Sequence, residues 1–125
     1  PEGNCQQPLE KLKAFSTSTL SDALDACGVE GALFDIKPLS LGHKLIGPAY
    51  TIQFVANKEP LKEFKNAANY IDSVPAGSVI LIDNQGRKNC SSWGDILTQV
   101  AMQKNILGTV VHGAVRDVEL LRQSN

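Results

Sequence analysis

Ser78-Val79-Ile80-Leu81-Ile82-Asp83 follows the turn Pro75-Ala76-Gly77, and its reading decides the fold. The run is too short for a helix and almost wholly apolar. That predicts a strand buried on both faces, as in a sheet covered by helices. Gly108-Thr109-Val110-Val111 repeats the pattern and predicts a second buried strand over 108–112. Between the two, Asn84 to Ser91 is polar and contains one Gly, so it reads as a loop. Residues 92–104 then place Ile96, Leu97, Val100 and Ala101 on one helical face. After the second strand, Val115 to Arg122 starts another helix. The order strand, loop, helix, strand, loop, helix marks the α/β class.

Upstream, residues 8–27 have helical spacing in one or two pieces. Leu9, Leu12 and Phe15 have that spacing, as do Leu20, Ala23, Leu24 and Cys27. Ser16 to Thr19 supplies N-cap candidates, and Gly28 a C-terminal stop. The period changes in 33–55. Tyr50, Ile52 and Phe54 alternate with Thr51, Gln53 and Val55, which predicts a strand after the Gly47-Pro48 break. Residues 60–72 return to helical spacing through Leu61, Phe64, Ala67 or Ala68, and Ile71. No repeat, low-complexity tract or linker divides the chain, so 1–125 reads as a single domain.

The bulk properties narrow the function classes. Twelve basic and 13 acidic residues give a net charge of -1, with no basic stripe, so a nucleic-acid partner is not expected. No apolar run is long enough to span a bilayer, and no secretory signal opens the chain. Cys5, Cys27 and Cys90 lack metal or redox spacing. They read as buried or half-buried free thiols of a cytoplasmic protein.

In α/β arrangements, ligands gather at the carboxyl ends of strands and at helix N-termini. Two segments qualify. In Ser91-Ser92-Trp93-Gly94-Asp95-Ile96-Leu97, Ser92 and Asp95 resemble a capping box. Gly94 leaves the first turn bare, so free amides there could receive an anion. The bland alternative is a well-capped helix. In Gly113-Ala114-Val115-Arg116-Asp117, Arg116 offers a planar fork for a carboxylate. Asp117 offers oxygens to a hard cation. The alternative there is a helix start whose Arg sits in a surface pair, with Glu119 one turn away as the partner. Asp83 ends a buried strand, either as a site residue or as an ordinary strand-end acid. Asp22 and Asp25 read as a solvated helix face, and His112 as a core histidine.

Together these motifs resemble a known superfamily, that of the 4-hydroxy-4-methyl-2-oxoglutarate aldolases and the regulator of ribonuclease E activity A. The likeness lies in Thr19-Leu20-Ser21-Asp22-Ala23-Leu24-Asp25, Gly47-Pro48-Ala49-Tyr50-Thr51, Pro75 to Asp83, Trp93-Gly94-Asp95 and Gly113-Ala114-Val115-Arg116-Asp117-Val118. It runs from about Leu9 to Arg122. The resemblance implies a layered sheet with flanking helices, of the swivelling β/β/α type, and a family domain whose C-terminal part lies beyond Asn125.

It also implies a class II aldolase that releases pyruvate from 4-hydroxy-4-methyl-2-oxoglutarate or similar 2-keto acids, with oxaloacetate decarboxylation as a side activity. In similar enzymes the segment Gly94, Asp95, Ile96 and Leu97 and the side chain of Arg116 hold the pyruvate carboxylate. Asp117 matches the anchor of a divalent cation, usually Mg²⁺, with Mn²⁺ possible. Arg116 and Asp117 are thus the implied catalytic pair, and a homotrimer or hexamer the implied assembly. Members of the regulator branch bind ribonuclease E and typically lack the acid after the Arg. Asp117 and Trp93-Gly94 therefore favour the aldolase reading, with a protein-binding regulator as the alternative.

Overall fold

Ile80 and Ile82 have no solvent exposure, and the computed structural model is organised around them. It describes residues 6–58 and 68–124. Two compact units result, Pro1–Lys37 and Pro38–Asn125.

In the first unit, α1 (Gln6–Leu12) and α2 (Thr17–Ala26) are separate helices. Ser16 divides them. Its hydroxyl accepts the Thr19 amide at 3.1 Å, a side-chain N-cap. Gly28, at φ 70°, closes α2 in the left-handed conformation. Asp22 and Asp25 are exposed, as a solvated face requires.

The second unit is a mixed α/β arrangement built on a three-stranded parallel sheet. Its strands are β1 (Ala49–Gln53), β2 (Val79–Asp83) and β4 (Gly108–His112), in the order β1-β2-β4. A second, two-stranded parallel sheet joins β3 (Ser91–Trp93) to β5 (Ala114–Val115). Helix α3 (Asp95–Gln103) connects β3 to β4, and α4 (Val118–Gln123) follows β5.

Register explains the core. Ile52, Ile82 and Val111 stand in one row, and Tyr50, Ile80 and Thr109 in the next. In parallel pairing, partners share a face, so both isoleucines point to the same side. There they pack with Trp93, Ala101, Ile106, Ile71 and Val74, with Leu97 and Val100 of α3 partly buried beside them.

Three details differ from the sequence reading. Burial on β2 alternates: Ile80 and Ile82 are sealed, whereas Val79, Leu81 and Asp83 are only partly covered. One face of the sheet packs with residues of α3, while on the other Leu45 lies against Gly108. The helices expected to begin at 92 and 115 instead begin at Asp95 and Val118, because Ser91–Trp93 and Ala114–Val115 are drawn into strand pairing. Of the helix expected over 60–72, residues 60–67 lie outside the described residues. The described end, Asn69–Ser73, is a 3-10 turn that buries Ile71.

Candidate functional site

The pairing of β3 with β5 builds the site. Both strands run the same way, so both release the chain at the same end. From β3 the chain passes through Gly94 into α3, and from β5 through Arg116 and Asp117 into α4. Two helix starts are thereby set side by side. Gly113, at φ 151°, makes the departure from β4 possible, and a Cβ there would lie 2.9 Å from the Cβ of Asn84. The Arg116 amide donates to the Trp93 carbonyl at 3.0 Å and ties the two arms together.

Gly94 is the point of closest approach. A Cβ at this position would stand 2.9 Å from Arg116 Cγ, 2.9 Å from Asp117 Oδ2 and 3.0 Å from Arg116 Nε. Its φ of -165° is extended backbone open to any residue, so space, not conformation, demands glycine. The Asp95 amide donates to Asp117 Oδ2 at 3.1 Å. The next amides of α3, those of Ile96 and Leu97, have no intrahelical acceptor, because they lie in its first turn. The first helical bond closes at Thr98, whose amide reaches the Gly94 carbonyl at 3.1 Å. Thr98 also accepts the buried Trp93 indole N–H at 2.9 Å, which fixes the ring and with it the entry to α3.

Asp117 sits in the left-handed region at φ 58°, a conformation that Asp tolerates better than most residues. Arg116 Nε approaches its Oδ2 at 3.5 Å. The Arg116 side chain is 65% exposed and the Asp117 side chain 38%, so this pair adds at most ~1 kcal/mol to stability. Its exposed fork is open to a carboxylate from solution.

The structure thus brings together Gly94, Asp95, Arg116 and Asp117, with Ile96 and Leu97 in the adjoining helical turn. It also corrects four expectations. Ser92 does not cap α3: it lies in β3, buried, with its hydroxyl unpartnered among the described residues, and Gly94 holds the cap position. The ion pair of Arg116 is with Asp117, not Glu119. Cys27 and Cys90 are exposed thiols, not buried ones. His112 is no core residue. Its ring is 60% exposed and pairs through Nδ1 with Asp83 Oδ1 at 3.0 Å.

That last contact belongs to a row missed by sequence reasoning. Gln53, Asp83 and His112 are register partners at the carboxyl ends of β1, β2 and β4. Asp83 Oδ1 also accepts the Gln85 amide at 2.8 Å, and Oδ2 the Gln53 side-chain amide at 3.4 Å. The visible signal was a polar residue closing each of two apolar runs at matching positions. The Gln85 amide first, and His112 second, hold the Asp83 carboxyl below its ordinary range. A depressed acid contributes stability above its unfolded pKa and loses it as pH falls through the folded one. Urea midpoints are therefore expected to drop on acidification below about pH 4, and Asp83→Asn to flatten that drop. An unchanged acid limb in the variant would show that Asp83 contributes nothing to it.

For a hard cation, the donor chemistry of the site fits a mostly hydrated ion. Among the described residues no group of three or more His, Cys, Asp or Glu side chains is gathered for a metal. Asp117 Oδ2 is engaged, whereas Oδ1 has no partner among the described residues. Asp95, next to it in the fold, holds Gln99 at 3.3 Å through Oδ1. One or two carboxylates with the remaining positions left to water is the usual Mg²⁺ arrangement.

Comparison with known proteins gives the family. The chain is 58% identical over 117 residues to protein DlpA of Legionella pneumophila, covering 94% of this chain and 19% of that protein. It is 35% identical to a putative 4-hydroxy-4-methyl-2-oxoglutarate aldolase of Halalkalibacterium halodurans, covering 94% of this chain and 52% of the relative. The chain thus spans about half the length of that aldolase relative, and less of DlpA. Among solved structures, Streptomyces coelicolor RraAS2, described as an unusual member of the RNase ES inhibitor RraA protein family, superposes with a TM-score of 0.85 at 27% identity, over 100% of this chain and 61% of its own. No helix of the described residues is long and apolar enough to cross a membrane. Residues 17–125 match the model of the RraA-like family, Aldolase/RraA, and the chain belongs to that family.

Proposed function

We propose that this chain carries the pyruvate-binding part of a divalent-cation-dependent aldolase acting on 4-hydroxy-4-methyl-2-oxoglutarate or a similar 2-keto acid. The observation that carries the proposal is the bare Gly94 seated beneath Arg116 and Asp117 at the start of α3. The substrate carboxylate is taken between the Arg116 fork and the free amides of Ile96 and Leu97, where the helix dipole adds attraction. Asp95 and Gly94 shape the floor of that cradle. Asp117, with Asp95 at its side, would hold the cation. A bound Mg²⁺ or Mn²⁺ supplies positive charge that stabilises the pyruvate enolate. Arg116, by gripping the carboxylate, would fix the orientation of the keto acid in the site.

The direct test is pyruvate release from 4-hydroxy-4-methyl-2-oxoglutarate and from oxaloacetate, with Mg²⁺ and after exhaustive chelation. Turnover that survives chelation unchanged would overturn the class II reading. Arg116→Lys keeps the charge but loses the bidentate geometry, so KM is expected to rise roughly tenfold or more. Gly94→Ala is a cleaner steric probe, since its backbone is unstrained. The variant should fold normally yet bind oxalate about tenfold more weakly, as its methyl displaces Arg116 and Asp117; a 1.4 kcal/mol change is the corresponding free energy. Calorimetric titration with oxalate reads this, and wild-type affinity would remove the cradle.

A protein-binding regulator is the second reading, favoured by the likeness to RraAS2. It predicts ribonuclease binding without turnover. A homotrimer or hexamer in a cytoplasmic setting accompanies either reading.

A further inference from the structure

Asn84 is 2% exposed, and nothing in the proposed reaction uses it. It follows β2 directly and touches both arms that build the site. Its Oδ1 receives Arg87 Nε at 3.1 Å and Arg87 Nη2 at 2.9 Å. An arginine side chain only donates, so these bonds fix which end of the amide is the oxygen. Nδ2 is thereby turned to the carbonyl of Cys90, the residue before β3, at 3.3 Å.

The second arm closes on the same residue. The Asn84 backbone amide donates to the His112 carbonyl at 3.0 Å. Its Cβ and Nδ2 lie 2.9 and 3.3 Å from where a Cβ of Gly113 would stand, so the corner between β4 and β5 rests on this side chain. Arg87 completes the bracket. Its carbonyl accepts the Ala114 amide at 3.0 Å, and its Nη2 also reaches the Phe54 carbonyl, just past β1, at 2.8 Å. One buried amide is thus bonded to the root of β3 and packed against the root of β5. The pairing of those two strands sets Gly94 beneath Arg116 and Asp117.

We propose that Asn84, clamped by Arg87, is a positioning residue: it sets β3 against β5, and so the spacing between the first amides of α3 and the Arg116–Asp117 pair. Its consequence for ligand binding rests on the aldolase reading; its geometry does not. The role needs an acceptor and a donor on one planar side chain, which Asn has and an ionised Asp lacks. Asn84→Asp keeps the acceptor for Arg87 and adds an ionic contact there. It also turns a carboxylate oxygen onto the Cys90 carbonyl, where a buried acceptor then has no donor.

The chain contains one tryptophan, Trp93, and it lies in β3 itself. In the full chain, Asn84→Asp should shift its emission. Hydrogen exchange should speed up at the Arg116 and Asp95 amides, which now donate to the Trp93 carbonyl and to Asp117. Oxalate affinity in the presence of Mg²⁺ should fall roughly tenfold or more, the usual scale for a group that supports the residues holding a ligand. Arg87→Lys loses the two-nitrogen grip on Oδ1 and should move all three readouts the same way, by less. Leu81→Ala, on β2, is the control: it should lower the melting temperature but leave Trp93 emission and oxalate affinity at wild-type values. Wild-type exchange at both amides in Asn84→Asp and in Arg87→Lys overturns the clamp. Faster exchange with wild-type oxalate affinity overturns the positioning role. An affinity loss in Leu81→Ala equal to that in Asn84→Asp also overturns it, because any destabilisation would then do the same. A wild type that binds no oxalate overturns the aldolase reading instead, and the exchange rates still decide the clamp.

Discussion

Asn in place of Asp117 is expected to abolish cation-dependent turnover and to leave the fold intact. The substitution keeps size, and its amide oxygen still accepts the Asp95 N–H that Asp117 Oδ2 now receives at 3.1 Å. It removes only the negative charge. Stabilising an enolate is worth several kcal/mol of transition-state charge, so a loss of about 10³-fold or more in kcat is expected. Turnover of oxaloacetate across a Mg²⁺ titration, beside a thermal melt, measures both halves. A variant within tenfold of wild type would show that Asp117 holds no cation needed for the reaction. The regulator reading predicts the opposite pattern: a wild type without turnover, and a ribonuclease E pull-down that survives the substitution, since single surface charges seldom decide an interface.

The largest effect on stability is expected at the other end of the argument, from Ile82→Ala. Ile82 is fully buried between Ile52 and Val111 in the middle of the sheet. Truncation removes apolar surface from the core and leaves a cavity that a three-stranded sheet cannot close. A cost of about 2–5 kcal/mol follows, a large share of what a small domain possesses. Urea unfolding should show a midpoint shift at unchanged slope. Leu81→Ala, on the half-covered face of the same strand, should cost clearly less. Equal costs would mean that both faces of β2 are sealed.

How much of this was legible in the sequence follows from what each feature depends on. The strands at 79–83 and 108–112 could be read because short apolar runs mark sheet, although burial is less than expected: β2 seals only Ile80 and Ile82, and 108–112 is half-buried at Gly108 to Val111 and exposed at His112. The short strands Ser91–Trp93 and Ala114–Val115 could not. They are two or three residues long and in part polar, and they are strands only because each is the other's partner. That is tertiary information. Missing them misplaced two helix starts and turned Ser92 into a cap. The candidate site was legible as a pair of segments, since Gly94, Arg116 and Asp117 are chemically conspicuous. What joins them, the Asp95 amide on the Asp117 carboxylate, follows from the same unseen pairing. His112 was misread for the opposite reason. An apolar run suggested a buried ring, but the residue closes its strand on the less covered face, where register sets it beside Asp83.

Strand direction has one more consequence, and it concerns how the chain reaches this state. Both sheets are wholly parallel, so no hairpin joins any two neighbours. Ala49 must find Val79, and Val79 must find Gly108, across entire intervening segments before any ladder bond forms. The loop-closure entropy is spent first and the contacts follow, which slows folding compared with a helical chain of equal length. Until β2 docks, its apolar run is an unpaired edge available to other molecules. Refolding yield is therefore set by a race between intramolecular pairing and association, and dilution favours the first.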